Sequence, residues 1–311
     1  MKPSGRRATG VALAMFAAIV RSQDGVVPAA ELQEIVIAAP EPRYIAPTLR
    51  DRIGRIWAPV YINGRGPFRL VLDTGANHSA VTPRLVEALG DTVSPGDPVR
   101  LRGATGVVVA PTIRVDSMSL GELLLSPATL SVVPDVFGGA DGVLGTEGLG
   151  DKRIAIDFRG DSITVGHSNG ERPGHGYVTL PFTLLEDNLL VFDVVIGRTR
   201  AKAVLDTGAP DSLGNQALLH ALRHHSTEEP DTAIVGVTLD VEHGEKIRIP
   251  AIEINQIRIA NVAMTFSDIY IFRHWGLIEE PAVLLGMDVA GSVDQLIIDY
   301  GARELHLRPR G

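Results

Sequence analysis

The hexapeptide Val71-Leu72-Asp73-Thr74-Gly75-Ala76 returns unchanged as Val204-Leu205-Asp206-Thr207-Gly208-Ala209. Each copy closes an apolar run, Phe68-Arg69-Leu70-Val71-Leu72 in the first and Ala201-Lys202-Ala203-Val204-Leu205 in the second, that reads as a buried strand. The strand then delivers a carboxylate, a hydroxyl and a glycine into a tight turn, and the glycine permits a backbone geometry that a side chain would forbid. A single Asp-Thr-Gly is an ordinary turn. The same hexamer in two matching contexts implies a duplicated unit. Two acids presented from equivalent strand ends then imply a pair that meets across a two-fold axis.

The surroundings of the two copies also repeat. Trp57-Ala58-Pro59-Val60-Tyr61-Ile62, a turn at Asn63-Gly64-Arg65-Gly66 and the strand bearing Asp73 parallel Leu190 to Ile196, Gly197 and the strand bearing Asp206. Thr82, Pro83 and Gly90 cap, open and stop a short helix after the first hexamer, and Asn215 caps its counterpart through Arg223. Val99 to Arg102 and Val107 to Val109 flank Gly103-Ala104-Thr105-Gly106, a hairpin with a small tip. In the second half the candidate tip is Glu242-His243-Gly244-Glu245. Val143-Leu144-Gly145 is matched within Val283-Leu284-Leu285-Gly286-Met287-Asp288, and a closing hairpin at Ile154 to Val165 matches Leu296 to Leu307.

These elements give an all-β expectation: two duplicated β-barrel-like lobes, each with a short helix, and a cleft between them. The expected boundaries are a signal peptide or tail over residues 1–27, a linker over 28–50, a first lobe over 51–167, a linker over 168–176 and a second lobe over 177–311. A chain of 311 residues has room for two such units. The 33 glycines and 20 prolines favour short strands over long helices. A net charge of −8 with no basic stripe argues against nucleic acid or an acidic membrane surface as a partner. The absence of cysteine excludes disulfides and thiolate metal sites.

Lys2, Arg6 and Arg7 precede the apolar run Gly10 to Val20, which has the length of a signal-peptide core and is too short to span a bilayer. Export to the periplasm or medium is therefore expected, with no integral membrane span.

The paired Asp73-Thr74-Gly75-Ala76 and Asp206-Thr207-Gly208-Ala209, with Asp141 to Gly145 and Leu284 to Asp288, resemble the aspartic proteases of the retropepsin/pepsin clan. The resemblance covers about residues 55–310 and is nearer the bacterial retropepsin-like members, with both lobes on one polypeptide. It implies the two-lobed acid-protease fold and an endopeptidase acting on an extended polypeptide without metal or cofactor. Carried over, Asp73 and Asp206 are the catalytic pair, and Thr74, Gly75, Thr207 and Gly208 support it. Gly103, Ala104, Thr105 and Gly106 form a substrate-covering flap. One chain supplies both acids, so a monomer is expected.

Two features depart from the pepsin pattern. Ala76 and Ala209 stand where pepsin-like lobes carry serine, and the tip at 103–106 lacks the flap tyrosine. Without a hydroxyl donor the ionised carboxylate is less stabilised, so a mildly acidic activity range is expected.

Other candidates carry less. His220 and His224, with Glu228 and Glu229, have the spacing of a zinc-binding helix face, but Ala221 follows His220 where a metalloprotease has glutamate. They read better as a solvated helix end. His78 is either a subsite residue or an exposed turn residue. Phe272-Arg273-His274-Trp275 reads as a loop that is either a substrate wall or an aromatic lid over the core. The rival from a different class is a catalytically silent peptide-binding module on the same fold.

Overall fold

The computed structural model describes residues 35–38, 55–185, 189–222 and 227–310. All of them belong to one compact unit running from Glu34 to Gly311. The expected signal segment at 1–27 lies outside the described residues. Within the stretch expected as a linker, Ile35–Ala38 form a strand that pairs in parallel with Ile257–Ala260. Its β-branched run outweighs the nearby prolines. Among the described residues no helix is long and apolar enough to cross a membrane.

The architecture is all-β and duplicated, as expected. The first lobe is a nine-stranded sheet. Within it the strand Arg65–Leu72 pairs with Trp57–Ile62 through a turn in which Asn63 and Gly64 both have positive φ. On its other side Gly142–Leu144 runs parallel, with Val71 opposite Val143 and Leu72 opposite Leu144. Ala80–Val81 then pairs antiparallel to that segment. The second lobe repeats the arrangement in an eleven-stranded sheet. There Thr199–Leu205 lies parallel to Ala282–Leu285, with Val204 opposite Leu284 and Leu205 opposite Leu285, and Leu213–Gly214 pairs antiparallel to the same segment. Strands buried on both faces need continuous apolar sequence. That is why both hexamers begin Val-Leu and both partner segments end in two apolar residues and a glycine.

The helices follow local signals. Helix α1 spans Pro83–Leu89, with the Thr82 side chain accepting from Leu85 N–H and Gly90 ending it at φ 54°. Helix α2 spans Gln216–Ala221, with Asn215 accepting from Leu218 N–H. Helix α3 spans Tyr270–His274 and α4 spans Met287–Ala290.

A third sheet belongs to both halves. Lys152–Asp157 pairs antiparallel with Gln295–Asp299, each flanked by its own hairpin partner, Ser162–His167 and Glu304–Arg308. Val178–Pro181 adds a fifth strand. The two halves thus share main-chain hydrogen bonds as well as apolar contact, and one large core runs from Ala58 through Leu307.

Two expectations need correction. The tip of the second-lobe hairpin lies at residues 236–240, between the strands Thr227–Val235 and Val241–Arg248. Gly244, which suggested a turn, sits within a strand opposite Thr232. A Cβ there would lie 2.7 Å from the Phe266 carbonyl oxygen, so the glycine serves the close approach of Ala263–Phe266. The second correction concerns Phe272-Arg273-His274-Trp275, most of which is helix α3. Phe272 and Trp275 are buried, their rings edge to face at 6.3 Å. They face the core cluster that holds Val191, Val204 and Leu284.

Candidate active site

Each aspartate is placed by the segment behind it. Asp73 N–H donates to the Leu144 carbonyl at 3.0 Å and Asp206 N–H to the Leu285 carbonyl at 2.9 Å. The turn then folds back onto the acid. Gly75 N–H donates to Asp73 Oδ1 at 2.9 Å. Gly208 and Ala209 N–H donate to Asp206 Oδ1 at 2.9 and 3.0 Å.

The glycines also decide how closely the acids approach. A Cβ on Gly75 would lie 2.6 Å from Asp206 Cγ, and one on Gly208 would lie 2.3 Å from Asp73 Cγ. Each carboxylate therefore rests against the opposite turn, and no larger residue fits there. The threonines hold this arrangement from below. Thr74 Oγ1 donates to the Leu205 carbonyl and Thr207 Oγ1 to the Leu72 carbonyl, both at 2.7 Å. Each hydroxyl in turn accepts the other threonine's N–H at 3.1 Å.

Electrostatics follow from this packing. Burial, then the neighbouring Asp206 charge, hold the Asp73 carboxyl well above the usual carboxylate range. Burial raises Asp206 as well, while a hydrogen bond from Asp73, the N–H groups of Ala209 and Gly208, and the Arg55 charge pull it back. Two carboxyls that cannot both ionise cheaply titrate as a pair and hold one proton between them over a wide pH range.

Of the expected site residues, the structure brings Asp73, Thr74, Gly75, Asp206, Thr207 and Gly208 together. Gly103, Ala104, Thr105 and Gly106 form the tip of a hairpin between Ser94–Arg102 and Val107–Val115, closed by Gly103 N–H on the Gly106 carbonyl at 2.9 Å. His78 is exposed, as is His220. The side chains of His224, Glu228 and Glu229 lie outside the described residues. Among those described, no three His, Asp or Glu side chains gather to hold a metal ion.

The sequence reading missed a supporting layer beneath each turn. Ser79 Oγ accepts from Gly145 N–H at 3.0 Å, and Ser212 Oγ accepts from Gly286 N–H at 3.1 Å. Behind each serine stands an acid. Ser79 N–H donates to Glu147 Oε1 and Ser212 Oγ donates to Asp288 Oδ1, both at 2.7 Å. Burial pushes Asp288 up to about 6. The signal was present: a serine six residues after each aspartate and an acid two residues after each Gly145 and Gly286.

An apolar cluster adjoins each aspartate turn. One cluster packs Val71, Val143 and Phe137 with half-buried Trp57, Ala76, Leu101 and Val136. The other packs Val204, Leu284 and Phe272 with half-buried Ala209, Leu213 and Ile271.

None of the curated proteins matches the chain. A solved structure, the crystal structure of basic 7S globulin from soybean, is similar with a TM-score of 0.47 and 10% identity, over 82% of this chain and 91% of that one. The sequence profile described as aspartyl protease matches residues 58–147 and again 192–289, one match around each Asp-Thr-Gly-Ala turn. With two matched repeats that together span more than half its length, the chain belongs to the aspartyl protease family.

Proposed function

We propose that the chain is an aspartic endopeptidase that hydrolyses an extended polypeptide with a water activated between Asp73 and Asp206. The observation that carries this reading is the pair of carboxyls set against each other's glycine turns, both pushed upward by burial and Asp73 also by the Asp206 charge.

Peptide hydrolysis needs a base to deprotonate water and an acid to protonate the leaving nitrogen. A pair holding one proton supplies both. The ionised member takes the water proton as oxygen attacks the carbonyl carbon. The protonated member donates to the carbonyl oxygen, and the pair then delivers a proton to nitrogen as the C–N bond breaks. Aspartic proteases are the standard illustration of this pairing. Thr74, Gly75, Thr207 and Gly208 keep the two acids in register. No cofactor enters these steps.

The substrate would lie between the acids and the hairpin tip at 103–106, its main chain pairing with hairpin edges. Both flanking clusters are apolar, which favours apolar substrate residues on either side of the cleaved bond. One chain supplies both turns, so the active unit is a monomer.

The test is hydrolysis of a denatured protein at mildly acidic pH, alongside Asp73→Asn and Asp206→Asn. Cleavage by the native chain that each substitution lowers by at least a thousandfold, with the fold retained, supports the reading. Peptide binding without cleavage would select the silent binding module instead.

A further inference from the structure

Two hairpins of similar length meet at their tips, here flap 1 (Ser94–Arg102 with Val107–Val115) and flap 2 (Thr227–Val235 with Val241–Arg248). Their tips interlock. The Thr105 and Thr238 hydroxyls are 3.1 Å apart. A Cβ on Gly106 would lie 2.3 Å from Asp240 Oδ2, one on Gly103 2.9 Å from Val237 Cγ1, and one on Gly236 2.9 Å from Thr105 Oγ1. Thr105 is 5% exposed, so the meeting point is closed.

Each tip also reaches across to the opposite lobe, and here the two flaps differ. The Ala104 carbonyl of flap 1 accepts Ile271 N–H of α3 at 3.2 Å. An N–H in the first turn of a helix has no acceptor within that helix. The cap residue Ile269 offers no side-chain bond, so the flap carbonyl takes that place. Ala104 packs in the second-lobe cluster around Phe272 and Leu284.

Among the described residues, flap 2 has no such anchor. Val237 packs against the first-lobe cluster with Ala76, Leu101 and Val136. Among the described residues, nothing in 236–240 makes a main-chain hydrogen bond to the first lobe. The facing first-lobe segment closes on itself, with Val136 N–H on the Pro134 carbonyl and Ala140 N–H on the Phe137 carbonyl.

We propose that the flaps divide the work: flap 1 is a fixed roof held on the second lobe by the Ile271–Ala104 hydrogen bond, and flap 2 is the door through which a polypeptide reaches the acids. Lifting flap 2 separates one hydroxyl pair and apolar contacts. Lifting flap 1 separates the same hydroxyl pair and the Ala104 contacts, and also leaves a helix N–H and a carbonyl without each other. One net main-chain hydrogen bond shifts an opening equilibrium roughly several-fold to tenfold. The inference rests on the proposed peptide-cleaving role of the cleft.

The absence of cysteine permits a direct test. Ala104→Cys with Ile271→Cys ties flap 1 to α3. Thr105→Cys with Thr238→Cys ties the two tips. Each variant is assayed oxidised and reduced, so that any cost of the substitutions cancels. Oxidation is expected to change turnover of the first variant less than twofold and to lower that of the second at least a hundredfold, reversibly. Loss of activity on tying flap 1 to α3, or near-normal turnover with the tips tied, would overturn the proposal.

Amide hydrogen exchange of the native chain gives a readout that does not depend on catalysis or on the variants folding. The Ile271 amide should exchange at least tenfold more slowly than the amides of residues 236–240. Equal or reversed protection would reject the fixed roof. If the native chain hydrolyses nothing, the endopeptidase reading fails, while the exchange data still decide how the flaps are held.

Discussion

Thr74 and Thr207 each accept the other's main-chain N–H at 3.1 Å, and each donates its hydroxyl at 2.7 Å to the carbonyl that precedes the opposite aspartate. Both residues are fully buried. The four bonds form a closed ring between the lobes, so the separation of the acids is fixed by hydroxyls that no water can replace. Thr74→Val should leave the Leu205 carbonyl and the Thr207 N–H unpaired in the interior. A loss of roughly 2–5 kcal/mol is expected, together with most of the activity. Thr74→Ser keeps the hydroxyl and should recover much of both. Chemical denaturation of the two variants checks this, and equal losses would show that methyl packing matters more than the bonds.

The acids that the proposed chemistry needs should weaken the fold at neutral pH. Their folded pKa values are raised above the unfolded ones. Their contribution to stability is therefore fully present below the unfolded value, about 4, and is lost as pH rises through the folded values. Asp73→Asn removes the like-charge conflict. It should raise the melting temperature near neutral pH and confer little or no gain at about pH 3–4. Thermal melts at both pH values check the sign. A gain of equal size at both would point to packing rather than ionisation.

Asp288 should show the same sign at a single site. Burial raises its carboxyl to about 6. An ionised Asp288 is thus disfavoured in the fold, and its contribution to stability is lost as pH climbs from about 4 to 6. Asn can still accept the Ser212 hydroxyl through its side-chain oxygen. Asp288→Asn should therefore stabilise the protein above about pH 6, by at most roughly 3 kcal/mol, and be nearly neutral below pH 4. Denaturant midpoints across that range decide it. Destabilisation at neutral pH would mean that the charge itself supports the Ser212 hydrogen bond.

The alanines after the two glycines bear on the working pH. Ala209 already donates its N–H to Asp206 Oδ1 at 3.0 Å, and a serine there would add a hydroxyl donor. A donor to the ionised form lowers a carboxyl's pKa. Ala76→Ser with Ala209→Ser should move a pH–rate bell centred at roughly pH 4–6 toward acid. An unmoved or alkaline-shifted profile would assign control of the pair to another group, such as the Arg55 charge that acts on Asp206.

The sequence by itself determined the elements whose signals are local or repeated. The duplicated hexamer placed both acids, because a buried strand leading into a glycine turn is specified by consecutive residues. Thr82 and Asn215 announced their helices, and Gly103 to Gly106 announced the first flap tip. Where a residue's role depends on a remote backbone, the sequence misled. Gly244 looked like a turn and is instead a strand position pressed on Phe266, which moved the second flap tip to residues 236–240. The Phe272 stretch looked like a loop because its apolar side chains find their partners in strands tens of residues away. The serine–acid supports under each turn left a spacing in the sequence, but their meaning lies in hydrogen bonds spanning more than sixty residues. The tertiary structure alone decided how the two flaps are held, since Ala104 and Ile271 meet only once both lobes have closed on each other. Periodicity and caps are written in neighbouring residues, whereas register, close approach and docking between lobes are settled when distant segments compete for the same buried surface.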